Sequence, residues 1–362
     1  MTGPPGSFLG GPGLSVWQPG GGSSSSSRPE QACRHAYPIA IRDPSLATAI
    51  GLLLRTLPYA LIRFALLLTF AIGTLIWLSL AIGGGVWLGT HVAHAIGWVW
   101  AIGGIVLYSY LWYAVLRYAL HLLECGHVAV LTQLIQYNQL GDTSESMMSL
   151  GIRLVRQHIA QATVLYGLHA LIRGIVDGFN RTVDFFAELL PIPGLDSILY
   201  VLHLILRAAT RYIDKAIFSY NLARGDDNPW RSSQDGIIYY CQNAKEILKK
   251  SVWIVILDKL LTFVVWLLLL GPAVGVALLL PSAVREWGTV AYMLIAALFA
   301  FTVRAAFVKP LFLIIILIRF HTLIENQPIN ETWDGYLSGL SLRFAGLKTQ
   351  AQTWATRPTA PS

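Results

Sequence analysis

Charge is the scarcest commodity in this 362-residue sequence. Lys and Arg number 26 and Asp and Glu 19, so 12% of the side chains are charged. A soluble globular domain carries about 25%. The hydrophobic fraction is 55%, and so few charges cannot shield that much apolar surface from water. The composition therefore argues against a soluble enzyme, a disordered regulator and a secreted disulfide scaffold, and for a membrane protein. Cysteine is also rare. Cys33, Cys125 and Cys241 are odd in number and far apart, with no CxxC or Cys/His spacing, which excludes a disulfide or zinc framework. No Walker sequence, nucleophile elbow, HExxH or paired-carboxylate motif occurs in a usable context. The reading is a non-enzyme with no cofactor and no metal. The start lacks a basic segment followed by an apolar run, so no cleavable signal peptide is expected.

What is present is organised by hydropathy. Residues 1–41 form a Gly-, Pro- and Ser-rich tail expected to be disordered. Arg42 to Arg63 spaces arginines among apolar residues. Arg55 and Arg63 fall on one helical face, as in an interfacial amphipathic helix leading into a membrane. Phe64 to Leu116 contains no Asp, Glu, Lys or Arg. One span takes about 20 residues, so this stretch holds two. Four spans are predicted in all, at about 64–89, 95–116, 260–284 and 287–308. Between the second and third lies an amphipathic region, 117–250, with 13 Lys or Arg. Its shorter apolar runs, Gln157 to Ile172 and Gly194 to Leu206, are amphipathic, re-entrant or core helices. Arg224 to Gln234 reads as a loop. Leu311 to Ile318 either prolongs the fourth helix or lies along the membrane, and residues 325–362 read as a polar tail. The fold expected is all-α: a polytopic helical membrane protein whose membrane domain is 42–324. The net charge of +7 fits Lys and Arg held on the cytoplasmic side rather than nucleic-acid binding. The side holding 1–63, 117–250 and the C-terminal tail is the basic one, so both termini are expected in the cytoplasm of an integral, multi-pass protein of the cell or inner membrane.

Several residues carry chemistry and a plainer reading side by side. Ala81, Gly85 and Gly89, and then Gly271 and Gly275, repeat at four-residue spacing. They suit a tight helix pair or dimer seam, or ordinary packing. Tyr108 and Trp112 share a face deep in the second span, where aromatic walls bind quaternary ammonium groups or simply pack. Trp98 and Trp100 fit an interfacial belt. Glu124, beside Cys125, Gly126 and His127 and near His121, suits a cation or proton site, or the wet face of an interfacial helix. His91 and His94 lack further metal ligands and read as a solvated turn. Asp258 and Lys259 interrupt the apolar run from Val252. Adjacent residues on a helix do not face each other, so Asp258 needs its own partner, with Arg304 the candidate, while Lys259 reaches the interface. The sequons at Asn180 and Asn330 fall on the cytoplasmic side and are expected to stay unmodified.

The stretch from Tyr239 onward resembles the choline transporter-like family. Cys241-Gln-Asn-Ala244-Lys245 is similar to that family's Cys-x-x-Ala-basic segment, and Val255-Ile-Leu-Asp258-Lys259 with Phe263 to the Val-Leu-Asp-Lys motif that opens a span. Arg211 to Asn221 is loosely similar to an apolar stretch with Tyr and Asn. The spacing from Cys241 to Asp258 is about one helical turn short, and the family's long extracellular loop and several spans are missing. The resemblance implies a transporter-like protein for a small organic cation such as choline, with Tyr108, Trp112, Glu124 and Asp258 as substrate-binding residues. The alternative is a non-transporting scaffold or subunit of a membrane complex. The expected partners are the lipid bilayer and a second copy or a membrane subunit.

Overall fold

The computed structural model describes residues 37–139, 146–159, 212–225, 228–279, 282–340 and 342–355. The two short apolar runs, from residue 160 to residue 206, and the sequon at Asn180 lie outside them. Every regular element among the described residues is a helix. The amphipathic helix α1 (Leu46–Arg55) is capped by Ser45, whose hydroxyl accepts from the Thr48 N–H. Thr56 interrupts the ladder ahead of Pro58, which has no N–H to continue it, and α2 (Leu57–His91) follows over 35 residues. A two-residue turn leads to α3 (His94–Leu111), a π turn (Trp112–Leu116) and α4 (Arg117–Tyr137), which run on as one rod. Then come α5 (Met147–Ile159), α6 (Ile213–Arg224) and α7 (Pro229–Gln242). The next helix, α8 (Ala244–Leu279), has 36 residues. It is followed by α9 (Ser282–Val303), a second π turn (Arg304–Val308) and α10 (Lys309–Ile324), then α11 (Glu331–Leu340) and α12 (Leu342–Ala355).

Among the described residues, three helices are long and apolar enough to cross a membrane: Leu57–His91, His94–Tyr137 and Gly288–Ile324. They contain the first, second and fourth predicted spans. The third predicted span, 260–284, begins in α8, which ends at Leu279 and exposes Leu260, Phe263, Val264, Trp266, Leu267 and Leu268, and its last residues, from Ser282, belong to α9.

The α2–α3 pair closes along its small residues, the tight-pair reading of Ala81, Gly85 and Gly89. A Cβ on Gly85 would lie 2.8 Å from the Gly97 carbonyl oxygen and 2.9 Å from the Ala101 Cβ, and one on Gly104 would lie 3.1 Å from the Ala81 Cβ. A Cβ on Gly97 would collide with the Gly85 carbonyl and with Gly89. Backbones that close exchange dispersion contacts that lipid cannot match. Trp77 crosses the seam to donate to the Gly104 carbonyl at 2.8 Å. Gly271 and Gly275 correct the expectation of a second such seam. Both are exposed, and a Cβ on either meets open space. They lie around Pro272, the interior proline of α8.

Beyond the π turns the same rods change role. Pro310 to Ile318 are all buried, so the run Leu311 to Ile318 prolongs the fourth helix and becomes core, and does not lie along the membrane. It packs with α4, α6 and α7 around Tyr220, Tyr239, Phe312 and Phe320. Three sequence readings are corrected here. Arg224 to Gln234 is not a loop. Asn228 caps α7 by accepting from the Arg231 N–H, Pro229 occupies the first turn, and Ser232 to Asp235 are buried inside it. The segment from 325 is not a plain polar tail. It contains α11 and α12, whose Leu337, Phe344 and Leu347 are fully buried. The end of the presumed N-terminal tail is packed as well: Ile39 is buried, and the Ala40 and Ile41 N–H groups donate to the Ile135 carbonyl at 2.9 and 3.1 Å.

A repeated plan emerges. Leu57–Tyr137 and Ala244–Ile324 are equal in length, and each comprises a long helix, a second helix, a π turn and a buried extension. Each is followed closely by an Asn-Gln pair whose asparagine is left-handed, Asn138 at φ 53° and Asn326 at φ 59°. Asparagine tolerates that region better than other residues with a Cβ.

Gly97→Leu should lower stability in detergent by about 1–3 kcal/mol through overpacking of the seam, while Gly275→Leu should leave it nearly unchanged. Thermal melts of the two purified variants test the contrast. Equal melting would mean that the α2–α3 contact does not carry the hairpin.

Candidate functional site

Tyr108 and Trp112 come together with ring centroids 6.0 Å apart. Their surroundings are a helix seam. Tyr108 stacks on Trp77 at 6.0 Å and 21°, and Trp112 meets Phe70 edge-on at 5.6 Å. The Tyr108 hydroxyl hydrogen-bonds the Thr74 hydroxyl at 2.6 Å and donates to the Phe70 carbonyl at 3.2 Å. These faces and this hydroxyl are engaged by α2, as the packing reading expects.

Glu124 stands in a four-charge cluster. Its Oε1 lies 3.8 Å from Arg63 Nη2 and its Oε2 lies 3.7 Å from Lys215 Nζ, which in turn donates to Asp214 at 2.8 Å. The four side chains are 7–21% exposed. Burial of single charges there would be costly, and alternation of sign offsets it. Two cations and two anions leave the cluster with no formal excess of either sign. Alongside it, His127 stacks on Tyr59 at 5.2 Å and hydrogen-bonds the Thr56 hydroxyl at 2.9 Å. His121 Nε2 lies 3.7 Å from Cys125 Sγ. Among the described residues no three His, Cys, Asp or Glu side chains gather as metal donors.

Asp258 has the partner its position demands. Arg304 grips it with a fork, Nε to Oδ1 at 3.1 Å and Nη2 to Oδ2 at 2.5 Å. The side chains are 9% and 24% exposed. Arg304 opens the second π turn, so the fork joins α8 to the bend of the α9–α10 rod. Lys259, next in sequence, is exposed. The structure thus assembles three separate groups, Tyr108 with Trp112, Glu124 with its ions, and Asp258 with Arg304, rather than one pocket lined by all four residues. Cys241, from the family-like segment, lies at the end of α7, where burial pushes its thiol up to about 12. It is a packed hydrophobe, not a nucleophile. Asn243 behind it donates to Gln327 Oε1 at 2.7 Å and ties the α7–α8 joint to the segment after α10.

The polar centre that sequence reasoning missed lies in the core. Tyr37 Oη meets His321 Nδ1 at 2.8 Å, His321 Nε2 meets Ser219 Oγ at 2.7 Å, and Ser219 Oγ meets Thr132 Oγ1 at 2.7 Å. Ser219, His321 and Thr132 are at most 2% exposed. The Ser–His spacing is that of a nucleophile and its base. A phenol stands where a carboxylate would orient the imidazole, and Ser219, 0% exposed, is closed to substrate. The chain of bonds satisfies buried polar groups from four segments and locks them in register. Burial, then the neighbouring Tyr220 and Tyr239, hold the Tyr37 phenol well above its ordinary value. A second buried pair, Arg224 with Asp235 at 2.8 Å, links α6 and α7. No spacing motif announces either group, since the partners are distant in sequence or separated by a helix break.

No family model, curated protein or solved structure matches this chain.

Breaking the fork strands one buried charge. Asp258→Asn should cost about 3 kcal/mol, the low end for a buried pair because Arg304 stays partly wet. A double-mutant cycle with Arg304→Gln in urea or thermal unfolding should be strongly non-additive. Additive losses would mean that the two side chains do not pair.

Proposed function

We propose that this chain is a non-transporting membrane scaffold or subunit of a membrane complex, with four spans in α2, α3, α8 and α9 and both termini in the cytoplasm. One observation carries the reading: the polar groups of Tyr108, Glu124 and Asp258, three of the four residues nominated for substrate binding, are engaged within the chain. A carrier of small organic cations needs an anionic or aromatic site it can fill and empty. Here Tyr108 is bonded into the α2 seam, Glu124 faces two cations, and Asp258 is held by a guanidinium fork. α8 supports the fourth span. It nearly matches α2 in length and presents a row of exposed leucines and aromatics to its surroundings. Charge orients the four spans. The Gly89 to His94 segment and the first turn of α9, with Arg285 and Glu286, carry at most one basic residue each, and the segments assigned to the other side, 1–63, 117–250 and the C-terminal tail, carry most of the rest. α3 packs on α2 and exposes Trp98, Val99, Ile102, Val106 and Tyr110, a face left to lipid, a second copy or a partner subunit.

The second reading is a transporter-like protein for a small organic cation such as choline, which the family resemblance implies. The two π turns favour it. Such turns recur at functional sites, and here residues from both, Trp112, Leu116 and Ala305, pack in one cluster. In that reading a cation would displace Arg304 from Asp258.

Labelled-choline uptake into proteoliposomes separates the two. The scaffold reading expects no saturable uptake above empty vesicles. Saturable uptake that Asp258→Asn abolishes would replace it with transport. Topology is tested apart from function, by membrane-impermeant thiol labelling in a background without native cysteines. Val92→Cys should label from outside intact cells and Gly339→Cys should not. The reverse pattern would overturn the orientation.

A further inference from the structure

Each rod that leaves the α2–α3 and α8–α9 hairpins carries the same device. The residue immediately after each π turn is basic, Arg117 after Trp112–Leu116 and Lys309 after Arg304–Val308. Each cation sits over an aromatic ring of the preceding apolar stretch. The Arg117 guanidinium carbon is 4.8 Å from the Tyr113 ring centre, and Lys309 Nζ is 5.6 Å from that of Phe301. Both rings face outward, Tyr113 at 61% and Phe301 at 51% exposed. The device also marks a boundary. Before it the helices expose apolar side chains, such as Val106, Leu107, Tyr110 and Leu111, and after it they turn into core, from Gly126 in α4 and from Pro310 in α10.

Arg117 is the more open of the two cations. It is exposed, its hydrogen bond goes to the Tyr113 hydroxyl, and no salt bridge engages it among the described residues. Tyr110 and Tyr118 stand exposed near it at 70% and 60%. A guanidinium that gives one N–H to a neighbouring hydroxyl keeps the others for a phosphate, and outward tyrosines belong at headgroup depth. We propose that Arg117, set over Tyr113, binds the headgroup phosphate of an anionic phospholipid. The proposal rests on α3 crossing the bilayer. The ligand is a lipid rather than free phosphate because exposed apolar residues surround the cation on the side where acyl chains would lie. Anionic lipid is favoured over zwitterionic lipid because no carboxylate pairs with Arg117 to balance a choline or ethanolamine group.

The test is native mass spectrometry of the full chain, released from detergent containing equal amounts of phosphatidylglycerol and phosphatidylcholine. The wild type should retain phosphatidylglycerol preferentially. Arg117→Gln should reduce that preference about fivefold, the effect of one basic residue at an anionic surface. Arg117→Lys should retain part of it, and Arg55→Gln, which alters a cation bonded to Asn138, should leave it unchanged. Equal retention of the two lipids by the wild type, or an unchanged preference in Arg117→Gln, would overturn the proposal. If α3 did not cross the bilayer, Tyr137→Cys at the far end of its rod would label from outside together with Val92→Cys, whereas a crossing α3 keeps Tyr137→Cys unlabelled. Failure of the lipid site alone would leave that labelling intact.

Discussion

A charge on an apolar helix is tolerable only beside its opposite, and much of this structure is arranged around that constraint. Asp258 interrupts the apolar run of α8. It is carried because Arg304 reaches it from the bend of the next rod. Arg63 on α2 is carried because Glu124 and Lys215 complete an alternating cluster. In each repeated unit an ion pair therefore links the first helix to the second rod near its π turn, with the polarity reversed. Removing one member strands its partner at low dielectric, which costs more than the pair contributes.

The constraint acts together with backbone packing. In the α2–α3 hairpin the helices touch through glycine and alanine, so the spacing between the rods is set by main chain rather than by side chains. At the π turns Leu67, Leu116 and Ala305 fill the junction with Trp112 and Phe70 packed around them. Pro310 offers a cause for the second π turn, since it removes an amide from the helix ladder. Nothing in the sequence explains the first.

Beyond the junction the chain behaves like an ordinary core. The polar chain from Tyr37 through His321 and Ser219 to Thr132 crosses four segments, while the backbone of Ala40 and Ile41 meets the end of α4 and Arg42 pairs with Glu325 at 2.6 Å. The segment before α1 thus fastens the ends of the two repeated rods. A core secured by so many directional bonds has few alternative packings.

Sequence by itself determined that the chain is helical, that apolar stretches occur at 64–116 and beyond 260, and that Asp258 needs a partner, with Arg304 the nearest suitable cation. These follow from hydropathy and from the cost of lone charge, which are local properties. It also placed Gly85 on a close-packed face, because four-residue spacing is a helix property. The same spacing misled at Gly271 and Gly275, since periodicity states which residues share a face but not whether anything lies opposite. Tertiary structure alone decided that the run Leu311 to Ile318 is core rather than a surface helix, since burial depends on α4, α6 and α7 closing around it. It alone brought Tyr37, Ser219 and Thr132 to His321, because hydrogen bonds between residues so far apart in the chain leave no period or motif to read.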